Sequence, residues 1–208
     1  MAPGYNTAMS YVAVEGAIGV GKTTLARLVS ERLGLPVLFE RFEENAFLGP
    51  FYTDRARYAF QTEVFFLLNR YRQQQAEVMP AIEAGDLVTD YMFAKTHIFA
   101  RMNLAGDEWV LFEQLYEALS EKVARPDLVV YLRASVDTLM SRIYQRDRSF
   151  ERQMERDYIA ELAERYEAYF SRYDRAPMLT LDTDSLDLVR DPAAQGHVIA
   201  LVREQLGR

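Results

Sequence analysis

Cysteine is absent from this chain and histidine occurs only at His97 and His197. Disulfides and thiolate metal sites are thereby excluded, and a zinc site has too few nitrogen and sulfur ligands. No run of about 18 apolar residues occurs, and residues 1–10 have neither a basic start nor an apolar centre, which argues against a membrane span or a secretory signal. A cytoplasmic location is expected. Basic residues are in deficit, 24 Lys and Arg against 31 Asp and Glu, for a net charge of −7. That balance disfavours a nucleic acid polymer or an anionic membrane and points to a small-molecule partner. Oxygen-bound magnesium remains open. What is plentiful is apolar: half of the 208 residues are hydrophobic, enough for one domain with a sizeable core. Residues 1–8 read as a flexible extension, with residues 9–208 as the single domain.

Short apolar runs alternate with long helical patterns. Residues 11–14, 37–39, 87–89, 128–132 and 178–181 read as strands, while apolar spacing over 24–33, 59–79 and 110–123 follows the helical period. Gly34, Pro36, Gly85, Pro126 and Pro177 punctuate these segments. Helices long enough to cross over between strands imply a parallel sheet covered on both faces, an α/β three-layer fold whose ligands sit at the carboxyl ends of the strands.

The first strand runs into Gly16-Ala17-Ile18-Gly19-Val20-Gly21-Lys22-Thr23, which matches the phosphate-cradling pattern G-x-x-x-x-G-K-[ST]. Glycines let backbone N–H groups converge on an anion, Lys22 reaches β- and γ-phosphates, and Thr23 offers a hydroxyl to Mg²⁺. Thr24 opens a helix whose positive end faces the same anion. Glu40 and Asp90 each follow a strand, so both face the crevice that holds Lys22. Glu40 is placed to accept a proton from an attacking hydroxyl, and Asp90 to complete a metal shell with Thr23. A solvated acid and a helix cap are the plainer alternatives. Arg142 and Arg146 share a helical face and Arg148 follows where that helix opens, so the segment reads as a mobile lid over phosphates, with Glu151 in reach of a sugar hydroxyl. Its alternative is a solvated basic face. An aromatic and amide-rich stretch includes Phe51-Tyr52 and the run from Tyr58 to Phe66. Gln61 beside Phe60 suits a planar base, while Phe65 and Phe66 fit the core by their spacing, Phe65 being kept also as a substrate-facing candidate.

Together the phosphate loop, Glu40, Asp90, Gln61 and Arg142-Ile143-Tyr144-x-Arg146-x-Arg148-x-x-Glu151 resemble the deoxynucleoside kinase family over residues 11–181. The stretch Glu43-Glu44-Asn45-Ala46-Phe47-Leu48 followed by Phe51-Tyr52 looks more like its bacterial purine-directed members. The resemblance implies a five-stranded P-loop kinase fold with an arginine-containing lid, ATP or another nucleoside triphosphate as phosphate donor, Mg²⁺, and a homodimer formed through long helices. It implies phosphorylation of a deoxynucleoside, deoxyadenosine or deoxyguanosine, on its 5′-hydroxyl. Glu40 would be the base for that hydroxyl, Tyr52 and Glu151 the contacts to the 3′-hydroxyl, and Gln61 the reader of the base. Arg146 and Arg148 would bind phosphate. The chain departs from the family at Asp90-Tyr91-Met92, where an arginine is expected after the acid. Lys95 is the candidate to replace that cation, and Leu68 with the region of Lys95 takes the place of the usual base-discriminating pair. Two other readings stay open. One is a nucleoside monophosphate kinase of the thymidylate kinase type, using Arg41 and Arg70 for the acceptor phosphate. The other is a nucleotide-binding subunit without catalysis.

Overall fold

The structure, a computed structural model, describes residues 10–42, 45–152 and 154–208. The extension at residues 1–8 and the pair Glu43-Glu44 lie outside the described residues. Five strands, β1 (Tyr11–Gly16), β2 (Val37–Leu38), β3 (Leu87–Thr89), β4 (Leu128–Arg133) and β5 (Met178–Asp182), form one parallel sheet in the order β2-β3-β1-β4-β5. These strands coincide with the expected runs to within two residues at either end. β1 is buried along its whole length because strands pair with it on both sides and helices cover both faces; a central parallel strand is therefore an apolar run rather than an alternating one. One acid, Glu15, interrupts it.

The strand order reverses between β3 and β4, on either side of β1. In an open parallel sheet that switch leaves a crevice beyond the carboxyl ends of the strands. Helix α1 (Lys22–Leu33) leaves β1 through the glycine-rich turn, and Gly34 ends it in the left-handed conformation, its N–H donating to the Ser30 carbonyl. Helices α2 (Leu48–Thr53) and α3 (Arg55–Gln73) follow β2. The helix expected over 59–79 is continuous only to Gln73. It passes through a π-helical turn at Gln74–Val78 into α4 (Met79–Ala84). Pro80 lacks an N–H and its ring crowds the carbonyl four residues earlier, so an α-helix cannot run through it unaltered. Helices α5 (Lys95–Asn103) and α6 (Gly106–Ser120) lead to β4. Then come α7 (Val136–Arg146), a short 3-10 turn at Ser149–Glu151, α8 (Arg156–Phe170), β5 and α9 (Pro192–Gln205).

The turn after β1 admits only glycine at two points. A Cβ on Gly16, whose φ is +149°, would stand 2.3 Å from the Leu132 carbonyl oxygen; on Gly19 it would stand 2.7 Å from that of Leu139. Close approach to β4 and α7 thus sets the path of the loop. Gly16→Ala is expected to destabilise the protein by about 1–3 kcal/mol through steric overlap and backbone strain, whereas Gly196→Ala, exposed in α9 with open space around it, should stabilise it by roughly 0.5–1 kcal/mol. Denaturant unfolding of both variants checks the contrast, and equal midpoints would contradict it.

Candidate active site

A cavity of about 1170 Å³ opens at the carboxyl ends of the strands, and residues 18–24 of the glycine-rich turn form one wall of it. Gly19 and Gly21 have φ of +86° and +107°, so successive backbone N–H groups face one concavity, as an anion site requires. Lys22 Nζ donates to the carbonyls of Gly16 at 2.7 Å and Ala17 at 2.9 Å. Burial, together with the neighbouring Lys95 charge, lowers the Lys22 ammonium to about 8.

Glu40 and Asp90 lie just past β2 and β3 and are joined through the backbone, because the Glu40 N–H donates to Asp90 Oδ1 at 2.8 Å. Asp90 Oδ2 accepts from the Thr23 hydroxyl at 2.6 Å. Two oxygen donors thus meet beside the first turn of α1, a donor set that suits Mg²⁺, which takes one or two protein oxygens and fills the rest of its octahedron with water and phosphate. Among the described residues no group of three or more His, Cys, Asp or Glu gathers as a metal cage.

Glu40 is not a solvated strand-end acid. Its Oε1 accepts from Arg70 Nε at 2.8 Å and its Oε2 from Lys95 Nζ at 2.5 Å. Burial alone would raise its carboxyl; the Lys95 and Arg70 charges and their hydrogen bonds outweigh that and hold it at about 2. Lys95 is 7% exposed. It is therefore not an ordinary surface lysine but a buried cation beside Glu40. Helix α3 fixes this whole segment. Arg70 grips Glu40, Gln73 Nε2 donates to the Phe39 carbonyl at 2.8 Å, and Asn69 Nδ2 donates to the Arg41 carbonyl at 2.8 Å.

The lid segment divides. Arg142 is a strut: its guanidinium donates to the Val20 carbonyl at 3.2 Å, to the Thr183 hydroxyl at 2.9 Å and to the Thr183 carbonyl at 2.7 Å, tying the glycine-rich turn to the end of β5. Arg146 and Arg148 border the cavity and converge on Glu151. Arg146 Nε donates to Glu151 Oε2 at 2.8 Å, Arg148 lies 3.7 Å from Oε1, and the Arg148 guanidinium stacks over Phe42 at 4.5 Å. Glu151 is buried there beside Tyr52, whose hydroxyl is pushed up by burial and by the Glu151 charge. Both border the cavity.

Three expectations for the base end are corrected. Gln61 is exposed and outside the cavity, and Leu68 is 43% exposed. Phe65 packs edge-on against Phe47 and does not line the cavity. Helical phase decides all three, since α3 turns Thr62, Glu63, Phe66 and Arg70 toward the cavity at spacings of three and four. The positions that sequence reasoning missed are Glu63 and Glu15. Glu63 is 2% exposed; its Oε1 accepts from Asn103 Nδ2 at 2.7 Å and its Oε2 has no hydrogen-bond partner among the described residues. Burial raises it to about 7, against the Asn103 hydrogen bond and the Arg70 charge. The signal was available in the phase of Ala59, Glu63, Leu67 and Arg70. Glu15 accepts from the Gly16 N–H at 2.9 Å, and burial pushes its carboxyl up; an acid inside an apolar strand was its mark. Arg41, one of two cations weighed for an acceptor phosphate, pairs with Glu77 at 2.8 Å outside the cavity, and the other, Arg70, is taken by Glu40.

The family model for deoxynucleoside kinase matches residues 12–206. The chain belongs to the deoxynucleoside kinase family. It is 34% identical to a deoxyguanosine kinase of Bacillus subtilis, over 96% of this chain and 98% of that one. It is 32% identical to a deoxyadenosine/deoxycytidine kinase of the same organism, over 91% and 90%. A deoxyadenosine kinase from M. mycoides with bound dATP superposes with a TM-score of 0.78 at 25% identity, covering 96% of this chain and all of that one. The chain is accordingly a nucleoside triphosphate-dependent deoxynucleoside kinase of P-loop fold. Among the described residues no helix is long and apolar enough to cross a membrane.

Because Glu63 binds its proton more tightly when folded than when unfolded, its contribution to stability is full below the unfolded carboxyl value near 4.5 and is lost as pH rises through about 7. Glu63→Gln keeps the acceptor for Asn103 and removes the charge. It should therefore unfold at higher denaturant than the parent protein at pH 8, by on the order of 2 kcal/mol, with the gap closing toward pH 5. A gap that widens on acidification would refute the assignment.

Proposed function

We propose that this kinase, as one domain over residues 9–208, transfers the γ-phosphoryl group of ATP, bound with Mg²⁺, to the 5′-hydroxyl of a purine deoxynucleoside. The observation that carries this reading is the position of Glu40, clamped by Arg70 and Lys95 and bonded through its N–H to Asp90, in the same cavity as Lys22. A hydroxyl donating to Glu40 lies in front of the phosphate loop. The printed names of the relatives, kinases of deoxyguanosine, deoxyadenosine and deoxycytidine, support an acceptor of that class.

Catalysis here is positioning and charge neutralisation, since phosphoryl transfer passes through a loose transition state with little covalent work for the protein. A carboxyl held near 2 is a weak base. Its part is to accept and orient the hydroxyl proton, which in a loose transition state leaves late, after most of the bond to the leaving group has broken. The N–H groups of residues 18–24 and Lys22 hold the phosphates, and Thr23 and Asp90 would hold Mg²⁺, which supplies charge neutralisation on the phosphoryl oxygens when bound. Tyr52 and Glu151 face the 3′-hydroxyl. Arg146 and Arg148, which pair with Glu151 on the cavity border, turn to the transferring phosphate as the lid closes, and closure excludes water as a competing acceptor. The subunits pair as a homodimer through α3 and α6, where Leu68, Val110, Leu111 and Leu115 leave apolar side chains exposed. The protein works in the cytoplasm.

Glu40→Gln is expected to lower kcat by about 10²- to 10⁴-fold while the Kd for ATP changes only a few-fold; near-normal turnover would remove Glu40 from its role. Arg148→Ala should slow the single-turnover rate of phosphoryl transfer by at least about tenfold, the equivalent of 1.4 kcal/mol in the barrier, and an unchanged rate would remove the lid arginine from the chemistry.

A further inference from the structure

Glu15 is fully buried in the central strand of the sheet, and phosphoryl transfer as described above gives it no part. The residues before it in β1 are Tyr11, Val12, Ala13 and Val14. Stability alone would be served by one more apolar side chain, because a buried charge is costly unless nearly all of its hydrogen bonds are made. Here both oxygens are served. Oε2 accepts from the Gly16 N–H at 2.9 Å and Oε1 from the Met92 N–H at 3.3 Å. Donors on both oxygens suit the ionised group, which offers only acceptors.

These two bonds join the two halves of the site. Gly16 opens the phosphate loop, and Met92 follows Asp90, whose oxygens take the Thr23 hydroxyl and the Glu40 N–H. The ladder between β1 and β3 ends at Ala13 and Thr89, and the Glu15 carboxylate continues the connection beyond it. The positive charges acting on Glu15 are those of Lys95 and Lys22. Lys95 holds Glu40, while Lys22 Nζ rests on the carbonyls of Gly16 and Ala17. One carboxylate is thus the counter-charge of a cation on the acceptor side and of another on the phosphate side. Resting on the phosphoryl-transfer reading above, we propose that Glu15 is a positioning residue for the reaction: it ties the phosphate loop to the segment carrying Asp90, balances Lys22 against Lys95, and so fixes the γ-phosphate relative to the hydroxyl on Glu40. It touches neither substrate. Binding and rate should therefore respond to its loss in opposite directions. Without that negative charge the site is more positive, which favours the triphosphate. Without one of the two acceptors the loop and the Asp90 segment shift against each other, and a misplacement of about 1 Å costs on the order of 10²-fold in rate.

Glu15→Gln tests this, because it keeps the volume of the side chain and one acceptor while removing the charge. The Kd for ATP with Mg²⁺, measured by calorimetry without acceptor, and kcat with the deoxynucleoside that the wild-type protein turns over fastest are compared with wild type. Expected are a kcat lower by about 10²-fold and an ATP Kd tighter by at least about threefold. A merely structural acid would, when lost, loosen the site and weaken binding and rate together. A kcat within a few-fold of wild type, or an ATP Kd that stays put or weakens, therefore overturns the proposal. Glu15→Asp keeps the charge and withdraws it by one methylene. It should leave the ATP Kd unchanged and lower kcat by about tenfold or more; a wild-type kcat, or tightening of ATP as in the Gln variant, would overturn the proposal. If neither variant folds, a crystal structure of the wild-type protein with ADP bound decides: both Glu15 hydrogen bonds, to Gly16 and to Met92, are expected to persist, and the loss of either overturns the proposal. Wild-type protein that phosphorylates none of the four natural deoxynucleosides from ATP would instead overturn the phosphoryl-transfer reading on which the role of Glu15 rests.

Discussion

Everything at the mouth of the sheet depends on one carboxylate, that of Glu40, held from two sides by Arg70 and Lys95. A buried ion pair is stabilising only when its geometry satisfies the charges it desolvates, and removing one partner leaves the others exposed to the full penalty. Here the partners come from three places: Glu40 from the end of β2, Arg70 from α3 and Lys95 from α5. The cluster therefore does two jobs. It fastens helices to the sheet edge, and it sets the position of Glu40, the group to which the proposed function assigns the nucleophile.

The cluster extends toward the phosphate loop. Glu15, Glu40 and Asp90 stand against Lys22, Arg70 and Lys95, a formal balance of three acids and three cations in a region largely shut off from water. The interactions are mutual. Lys95 lowers the Lys22 ammonium, and both lysines act against the burial that raises the Glu15 carboxyl. Asp90 is the hinge between the halves, because one of its oxygens receives the Glu40 N–H and the other the Thr23 hydroxyl. In the proposed function acceptor and phosphate donor share this one electrostatic frame, which suits catalysis by positioning.

The cavity wall along α3 is built on a different balance. Around Glu40 charges are matched, and its carboxyl is held far below its usual range; Glu63 has Asn103 on one oxygen and no partner for the other among the described residues, and burial raises its carboxyl to about 7. Two acids, one just past a strand and one on a helix, are driven in opposite directions by what surrounds them. That contrast separates a carboxylate matched by two cations from one that burial dominates.

The sheet and the phosphate loop were legible in the residues alone. Apolar runs at 11–14, 87–89 and 128–132 can be satisfied only between covering helices, and Gly16 and Gly19 pass where a Cβ cannot, so local chemistry already implies the turn. The acids at Glu40 and Asp90 were legible for the same reason: residues just past parallel strands face the crevice. Which side chains of α3 and of the lid meet that crevice emerges only from the packed fold. Among Gln61, Thr62 and Glu63 the choice rests on helical phase against a particular sheet, and the pairing of Arg70 and Lys95 with Glu40 joins positions 30 and 55 residues apart. The same holds for Arg142, which resembled a phosphate ligand by spacing and is placed as a strut to Thr183 because the end of β5 lies beside it. Local periodicity fixes elements, whereas charge partners separated along the chain exist only once the chain has closed on itself.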